Sequence, residues 1–314
     1  MLEHRERRIH KLRISVTDHC QFRCVYCMPK TPHFSSPAHF ISFDEITAIV
    51  QRLQVHGIDT VRLTGGEPLM RAQVPELVRK LKAIGIASVG LSTNGHLLTP
   101  ALAAEFKAAG LDAWNISLDT LDPEVCQKMN KVKVLDKVLE AIDIAVASGI
   151  PVKTNTVVMR GFNEQELPAI LDYAHIRGVE PRFLELLRIG PMVKDHARYF
   201  VSADEMRSTL AQSQGELRAL PYEAGSTARY YLTSTARRFG IIASETQAFC
   251  ATCTRMRLTA TGKLLGCLFV SEGEMLMPHL DDEKRMAAAW ERTLAQKPWE
   301  RIAHSPQEMY AVGG

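Results

Sequence analysis

Residues 17–29 read TDHCQFRCVYCMP and set Cys20, Cys24 and Cys27 in a C-x3-C-x2-C spacing. Three thiolates that close together can supply three corners of a [4Fe–4S] cluster and leave one iron open to an exogenous ligand. Structural zinc is the alternative, with His19 as its fourth ligand. His19 adjoins Cys20, however, and adjacent side chains rarely converge on one metal. A second group, Cys250, Cys253 and Cys267, follows a C-x2-C-x13-C spacing with no histidine inside the segment. Its nearest downstream histidine is His279, so zinc stays open there. Between the two groups in sequence lies Gly65-Gly66-Glu67-Pro68, where paired glycines permit close backbone approach and Glu67 could accept from an ammonium.

The rest of the chain must position these groups. Its 314 residues, 46% of them hydrophobic, suffice for a full core and a second lobe. A net charge of +3 gives no support to nucleic-acid or membrane-surface binding. The N-terminal MLEHRERRIHKLR has no apolar targeting core, and no run of about 18 apolar residues occurs, which reads as a soluble, cytoplasmic protein. Seven cysteines in that setting point to metal binding or catalysis rather than disulfides.

Strand and helix signals alternate. Leu12, Ile14 and Val16 alternate as a strand, and the cysteine loop follows directly. Ser42-Phe43-Asp44-Glu45 is a capping-box pattern that opens a helix. Further strands are expected at 60–64, 87–93, 113–118, 152–159 and 182–187, with helical stripes between them. Six β/α units with ordinary crossovers make an α/β fold, a partial (βα)6 TIM-like barrel whose functional groups sit at the C-terminal strand ends. Beyond about residue 190 the alternation stops. The expected division is a barrel over 1–200 and a smaller C-terminal lobe over 201–314 that carries the second cysteine group.

The first cysteine loop, with aromatic Tyr26 before its last cysteine, and the GGEP loop one unit later resemble the radical S-adenosylmethionine (SAM) superfamily. Both cysteine groups together with Arg255-x-Arg257 and the terminal Gly313-Gly314 narrow the match. From about residue 11 to the end, the chain resembles the molybdenum cofactor biosynthesis protein A family, the GTP 3′,8-cyclases. The resemblance implies two [4Fe–4S] clusters, one on each cysteine triplet. It implies SAM held by Tyr26, Gly65, Gly66, Glu67, Ser117 and Leu187. GTP falls to Arg13, Arg62, Thr93, Lys153, Arg182, Arg255, Met256 and Arg257, and Gly313-Gly314 becomes a tail directed at the active site.

The implied reaction is reductive cleavage of SAM to a 5′-deoxyadenosyl radical that takes the ribose 3′ hydrogen of GTP. Bonding of C3′ to guanine C8 then gives 3′,8-cyclo-7,8-dihydro-GTP for molybdopterin synthesis. GTP, an electron donor and a downstream cyclic pyranopterin monophosphate synthase are the implied partners, with a homodimer as the assembly to consider and neither nucleic acid nor membrane.

Four positions depart from the family pattern. Thr60 stands where a basic residue is usual two positions before Arg62, Leu187 replaces a methionine, Arg188 a proline, and Thr254 an asparagine. These departures keep a second reading in view, a paralogous radical SAM enzyme acting on a peptide or another nucleotide. A third is a non-enzymatic protein with two zinc sites. Cys126 and Met28 read as packing residues, His56, His96 and His304 have no partners at ligand spacing, and Trp290 and Trp299 read as anchors of the C-terminal lobe.

Overall fold

Alternation fixes which side chains face the centre of the molecule. In β1 (Lys11–Ser15), Leu12 and Ile14 are buried in the hydrophobic core, while Lys11 and Arg13 take the opposite face. β2 (Thr60–Thr64) repeats the pattern, with Val61 and Leu63 in the core and Thr60 and Arg62 opposite. The computed structural model describes residues 7–223 and 225–313.

The six expected units are present. They comprise β1, α1 (Phe43–Leu53), β2, α2 (Val74–Ala83), β3 (Ser88–Thr93), α3 (Pro100–Ala109), β4 (Ala113–Ser117), α4 (Pro123–Asn130), α5 (Leu135–Ala147), β5 (Val152–Val158), α6 (Leu167–Ile176) and β6 (Glu180–Glu185). The capping box forms as expected. The Glu45 amide donates to Ser42 Oγ at 3.1 Å and the Ser42 amide to Glu45 Oε2 at 2.6 Å. Strand β6 ends at Glu185 rather than at 187, which leaves Leu187 in the following loop.

The C-terminal segment continues with α7 (Met192–Tyr199), α8 (Ala203–Gln214), β7 (Arg218–Ala219), β8 (Arg229–Leu232), β9 (Arg238–Ile242), β10 (Arg255–Leu258), β11 (Lys263–Leu265), β12 (Glu274–Met275) and α9 (Glu283–Ala295). It does not build a separate sheet. The order is β12-β11-β10-β1-β2-β3-β4-β5-β6-β9-β8-β7, and β10 runs parallel to β1 while β9 runs parallel to β6. The parallel run therefore extends by one strand at each edge beyond the six read from sequence. The sheet order is linear, with β12 at one end and β7 at the other, so the barrel stays partial.

Trp290 of α9 is buried and stacks on His56 at 4.8 Å between ring centroids, which fastens the C-terminal lobe beside α1. Among the described residues no helix is long and apolar enough to cross a membrane.

Glu185 ties the start of α8 and the segment after β9 to the end of β6. Its buried carboxylate accepts from the amides of Ala203 at 2.9 Å, Glu245 at 2.7 Å and Thr246 at 3.0 Å, and from the Thr246 hydroxyl. Glu185→Ala leaves these donors without their acceptor. The unfolding free energy in a urea titration is expected to fall by about 3 kcal/mol. A loss below about 1 kcal/mol would contradict this role.

Candidate active site

Both cysteine triplets open on one cavity of about 750 Å³ inside the sheet. They enter from opposite ends. Cys20, Cys24 and Cys27 follow β1, at the C-terminal ends of the parallel strands, where the barrel rule places chemistry. Cys253 precedes β10, and Cys267 follows β11, which runs antiparallel to β10. The second triplet thus flanks the N-terminal end of the same lumen, away from the C-terminal strand ends where the barrel rule places functional groups.

Backbone contacts hold the first loop. The Gly66 amide donates to Thr17 O at 2.6 Å and the Glu67 amide to His19 O at 2.7 Å. A Cβ on Gly65 would stand 2.5 Å from Thr17 O, and one on Gly66 2.3 Å from His19 O. The paired glycines therefore let the GGEP loop lie directly against the cysteine loop. On the other side, the Arg23 and Val25 amides donate to the carbonyls of Asn130 and Met129 at the end of α4, at 3.0 and 2.9 Å. The Tyr26 hydroxyl donates to Asp119 Oδ2 at 2.7 Å, just beyond β4. Burial pushes the Cys20 thiol up to about 11 and the Cys27 thiol up to about 12.

Glu67 does not offer a free carboxylate. Its Oε1 accepts from Thr93 Oγ1 at 2.6 Å and the Leu69 amide at 3.0 Å, and its Oε2 from the Asn94 amide at 2.7 Å. Burial nevertheless pushes its carboxyl up to about 7. The residue fixes the GGEP loop to the end of β3 while remaining on the cavity wall with Thr93, and Ser117 and Leu187 line the same wall.

Between the two triplets the lumen is lined by Arg13, Arg62, Arg182, Arg255 and Arg257. Among the described residues none of them pairs with a carboxylate. Register stacks them closely, with Arg13 opposite Arg62 on β2 and opposite Arg257 on β10. Burial, then neighbouring guanidinium groups, lower the pKa of Arg13 well below its usual value and those of Arg62 and Arg257 to about 10. Two glycines make room for the long side chains. Arg62 lies across Gly90 of β3, where a Cβ would stand 2.2 Å from its guanidinium, and Arg182 lies beside Gly240 of β9. Buried Ser92 Oγ, Asn115 Oδ1, Asn155 Oδ1, Arg13 Nε and Arg182 Nε have no hydrogen-bond partner. Buried polar groups are nearly always bonded, so this constellation fits a polar, anionic ligand.

Two expected contacts come out differently. Met256 is fully buried in the hydrophobic core, because strand alternation turns it away from the lumen that Arg255 and Arg257 face. Lys153 is already paired, 2.5 Å from Glu180 and 3.2 Å from the Tyr230 hydroxyl, and does not line the cavity. The last described residue of the tail, Gly313, lies against the ends of β1 and β2. Arg257 donates to the carbonyls of Val312 and Gly313, and a Cβ on Gly313 would stand 2.7 Å from the Thr64 side chain. Gly314 lies outside the described residues.

Lys297 has no counterpart in the sequence reading. It is 3% exposed, and its Nζ reaches Cys253 Sγ at 3.3 Å and the carbonyls of Arg255 and Gly266 at 2.7 Å. Burial would push the Cys253 thiol up, but Arg255 and Lys297 overcome it and hold Cys253 at about 6. Asp119 was equally unanticipated, although its place two residues past Ser117, at the end of β4, is where such a group belongs.

The Radical SAM superfamily model matches residues 14–174, and a Molybdenum Cofactor Synthesis C model matches residues 179–302. The chain is 37% identical over 299 residues to the GTP 3′,8-cyclase of Rhizobium etli, covering 93% of this chain and 85% of that protein. With GTP 3′,8-cyclase 1 of Pseudomonas aeruginosa it shares 40% over 266 residues, 83% of this chain and 80% of that one. The chain belongs to the GTP 3′,8-cyclase family of radical SAM enzymes. Among solved structures, Streptococcus suis SuiB bound to precursor peptide SuiA superposes with a TM-score of 0.64 at 14% identity, over 91% of this chain and 67% of that one, a likeness of fold alone.

Membership implies iron–sulfur chemistry, and the donor set fits it. Each triplet lines one end of the cavity, and three thiolates can supply three corners of a [4Fe–4S] cluster. His19 does not line the cavity; its Nε2 lies 2.9 Å from Ser35 O and its ring packs on Phe34 and Phe40. His279 does not line the cavity.

Gly66→Ala is expected to lift the GGEP loop off the cysteine loop. Formation of 5′-deoxyadenosine from SAM should drop at least tenfold in protein whose far-UV circular dichroism matches wild type. Undiminished formation would show that the close approach at Gly66 is dispensable.

Proposed function

We propose that this chain is a GTP 3′,8-cyclase that converts GTP to 3′,8-cyclo-7,8-dihydro-GTP in molybdopterin synthesis. The observation that carries the reading is one cavity with a cysteine triplet at each end and, between them, guanidinium groups that no carboxylate pairs with among the described residues. Cys20, Cys24 and Cys27 would hold one [4Fe–4S] cluster, and Cys250, Cys253 and Cys267 the other. Bound there, the first cluster and SAM supply one-electron reductive cleavage and with it the power to abstract a hydrogen atom.

The remaining work belongs to the chain. Arg13, Arg62, Arg182 and Arg255 neutralise the triphosphate with forked, fixed donors, which anchors the nucleotide along the lumen. Anchoring the triphosphate limits ribose and base to fewer poses, which shortens the search that brings C3′ to C8. Ser117, Leu187 and the GGEP loop shape the wall for SAM, and Tyr26, held by Asp119, fixes the loop that carries the first cluster. Arg257 donates to the carbonyls of Val312 and Gly313 and so fastens the tail to β10.

Three of the four departures, Leu187, Arg188 and Thr254, leave these roles intact. Leu187 keeps an apolar wall, and Arg188 turns its guanidinium to Val193 O, outside the cavity lining. Thr254 accepts the His10 and Lys11 amides through its carbonyl, a backbone role that any side chain allows. The reading includes an electron donor, a downstream cyclic pyranopterin monophosphate synthase that consumes the product, and a homodimer. It places the enzyme in the cytoplasm, where its free cysteines stay reduced.

Anaerobic reconstitution with iron and sulfide, followed by dithionite, SAM and GTP, tests the proposal by mass spectrometry. GTP-dependent 5′-deoxyadenosine and a cyclised GTP isomer are expected. Cys267→Ala should retain some SAM cleavage and yield no cyclised nucleotide. Cleavage indifferent to GTP, or full cyclisation by the variant, would overturn the assignment.

A further inference from the structure

Lys11 opens β1 on the lumen side, one rung below Arg13, and lines the cavity. Two residues of strand separate the rungs, about 7 Å. Its cross-strand neighbours are Thr60 on β2 and Arg255 on β10. Among the described residues Lys11 makes no side-chain hydrogen bond and no ion pair. The two acidic groups near it are engaged elsewhere, Asp59 at 3.1 Å from His10 Nδ1 and accepting from Thr60 Oγ1 at 2.8 Å, and Cys253 against Arg255 and Lys297. Thr60 therefore presents no free hydroxyl proton to the lumen. Arg255, the other cation of the rung, leans toward the second triplet, with Nη2 3.6 Å from Cys253 Sγ and its guanidinium over the Phe249 ring. An ammonium among cations, half-buried and unengaged, is unfavourable unless an anion joins it.

We propose that Lys11 binds the substrate's triphosphate and supplies from β1 the positive charge that the family pattern places on β2 at the position of Thr60. The two positions are direct register partners, so a charge moved from one to the other stays on the same rung of the same wall. The inference rests on the GTP reading and assigns a residue to it that the resemblance does not.

The test titrates reconstituted wild type, Lys11→Gln and Lys11→Gln/Thr60→Lys with GTP, guanosine and inorganic tripolyphosphate at one salt concentration by calorimetry. Loss of one charge-assisted contact should weaken GTP and tripolyphosphate about tenfold in Lys11→Gln. Guanosine affinity should stay unchanged, and the double variant should recover most of the loss. Unchanged GTP affinity, an equal loss for guanosine, or no recovery in the double variant would overturn the role of Lys11. Wild type that binds tripolyphosphate but not GTP, with the Lys11→Gln loss intact, would remove GTP as substrate and leave the Lys11 site standing. Wild type that binds neither would overturn both.

Discussion

Buried positive charge without a counter-charge is the constraint on which the rest of the structure depends. Arg13, Arg62, Arg182, Arg255 and Arg257 face one lumen, and among the described residues no carboxylate pairs with any of them. Removing such groups from water costs several kcal/mol each unless an anion compensates. The strands impose the arrangement. Alternation sends Leu12, Ile14, Val61, Leu63, Met256 and Leu258 into the core, where burial of apolar area stabilises the sheet, and leaves the arginines no face but the lumen. An anion that binds there contributes to stability as well as to recognition, because it interacts with the folded state alone.

The same sheet sets where the cysteines stand. Because β10 runs parallel to β1 and β11 turns back, one triplet lies at each end of the arginine-lined passage. Substrate held between them is in reach of both sets, and neither lobe alone provides the passage. The local devices serve this placement. Gly65 and Gly66 join two loops by backbone contact, Asp119 and Asn130 brace the first cysteine loop, and Lys297 gathers two carbonyls and Cys253 at the far end.

Much of this was legible in the sequence, and the rest was hidden for identifiable reasons. The six β/α units carry strong apolar periodicity and visible caps such as Ser42 and Glu45, and they form nearly where expected. The added parallel strands β9 and β10 are short, and β10 finds its partner β1 some 240 residues away in sequence, a pairing no local pattern encodes. The resemblance groups Met256 with its arginine neighbours, although a period of two separates it from them. Lys153 reads as a free cation until Glu180, brought beside it by the β5–β6 register, is seen to hold it. Gly90 and Gly240 show no signal by themselves, since each matters only for the arginine that lies across it from a neighbouring strand.

The central claim is that the passage presents the ribose of GTP to the radical formed at the first cysteine triplet. GTP deuterated at C3′ tests it most directly, in an anaerobic turnover with SAM and reductant. The account predicts one deuterium in the 5′-deoxyadenosine recovered. Unlabelled 5′-deoxyadenosine formed alongside cyclised product would contradict it, because the hydrogen would then come from a position other than the one the passage is built to present.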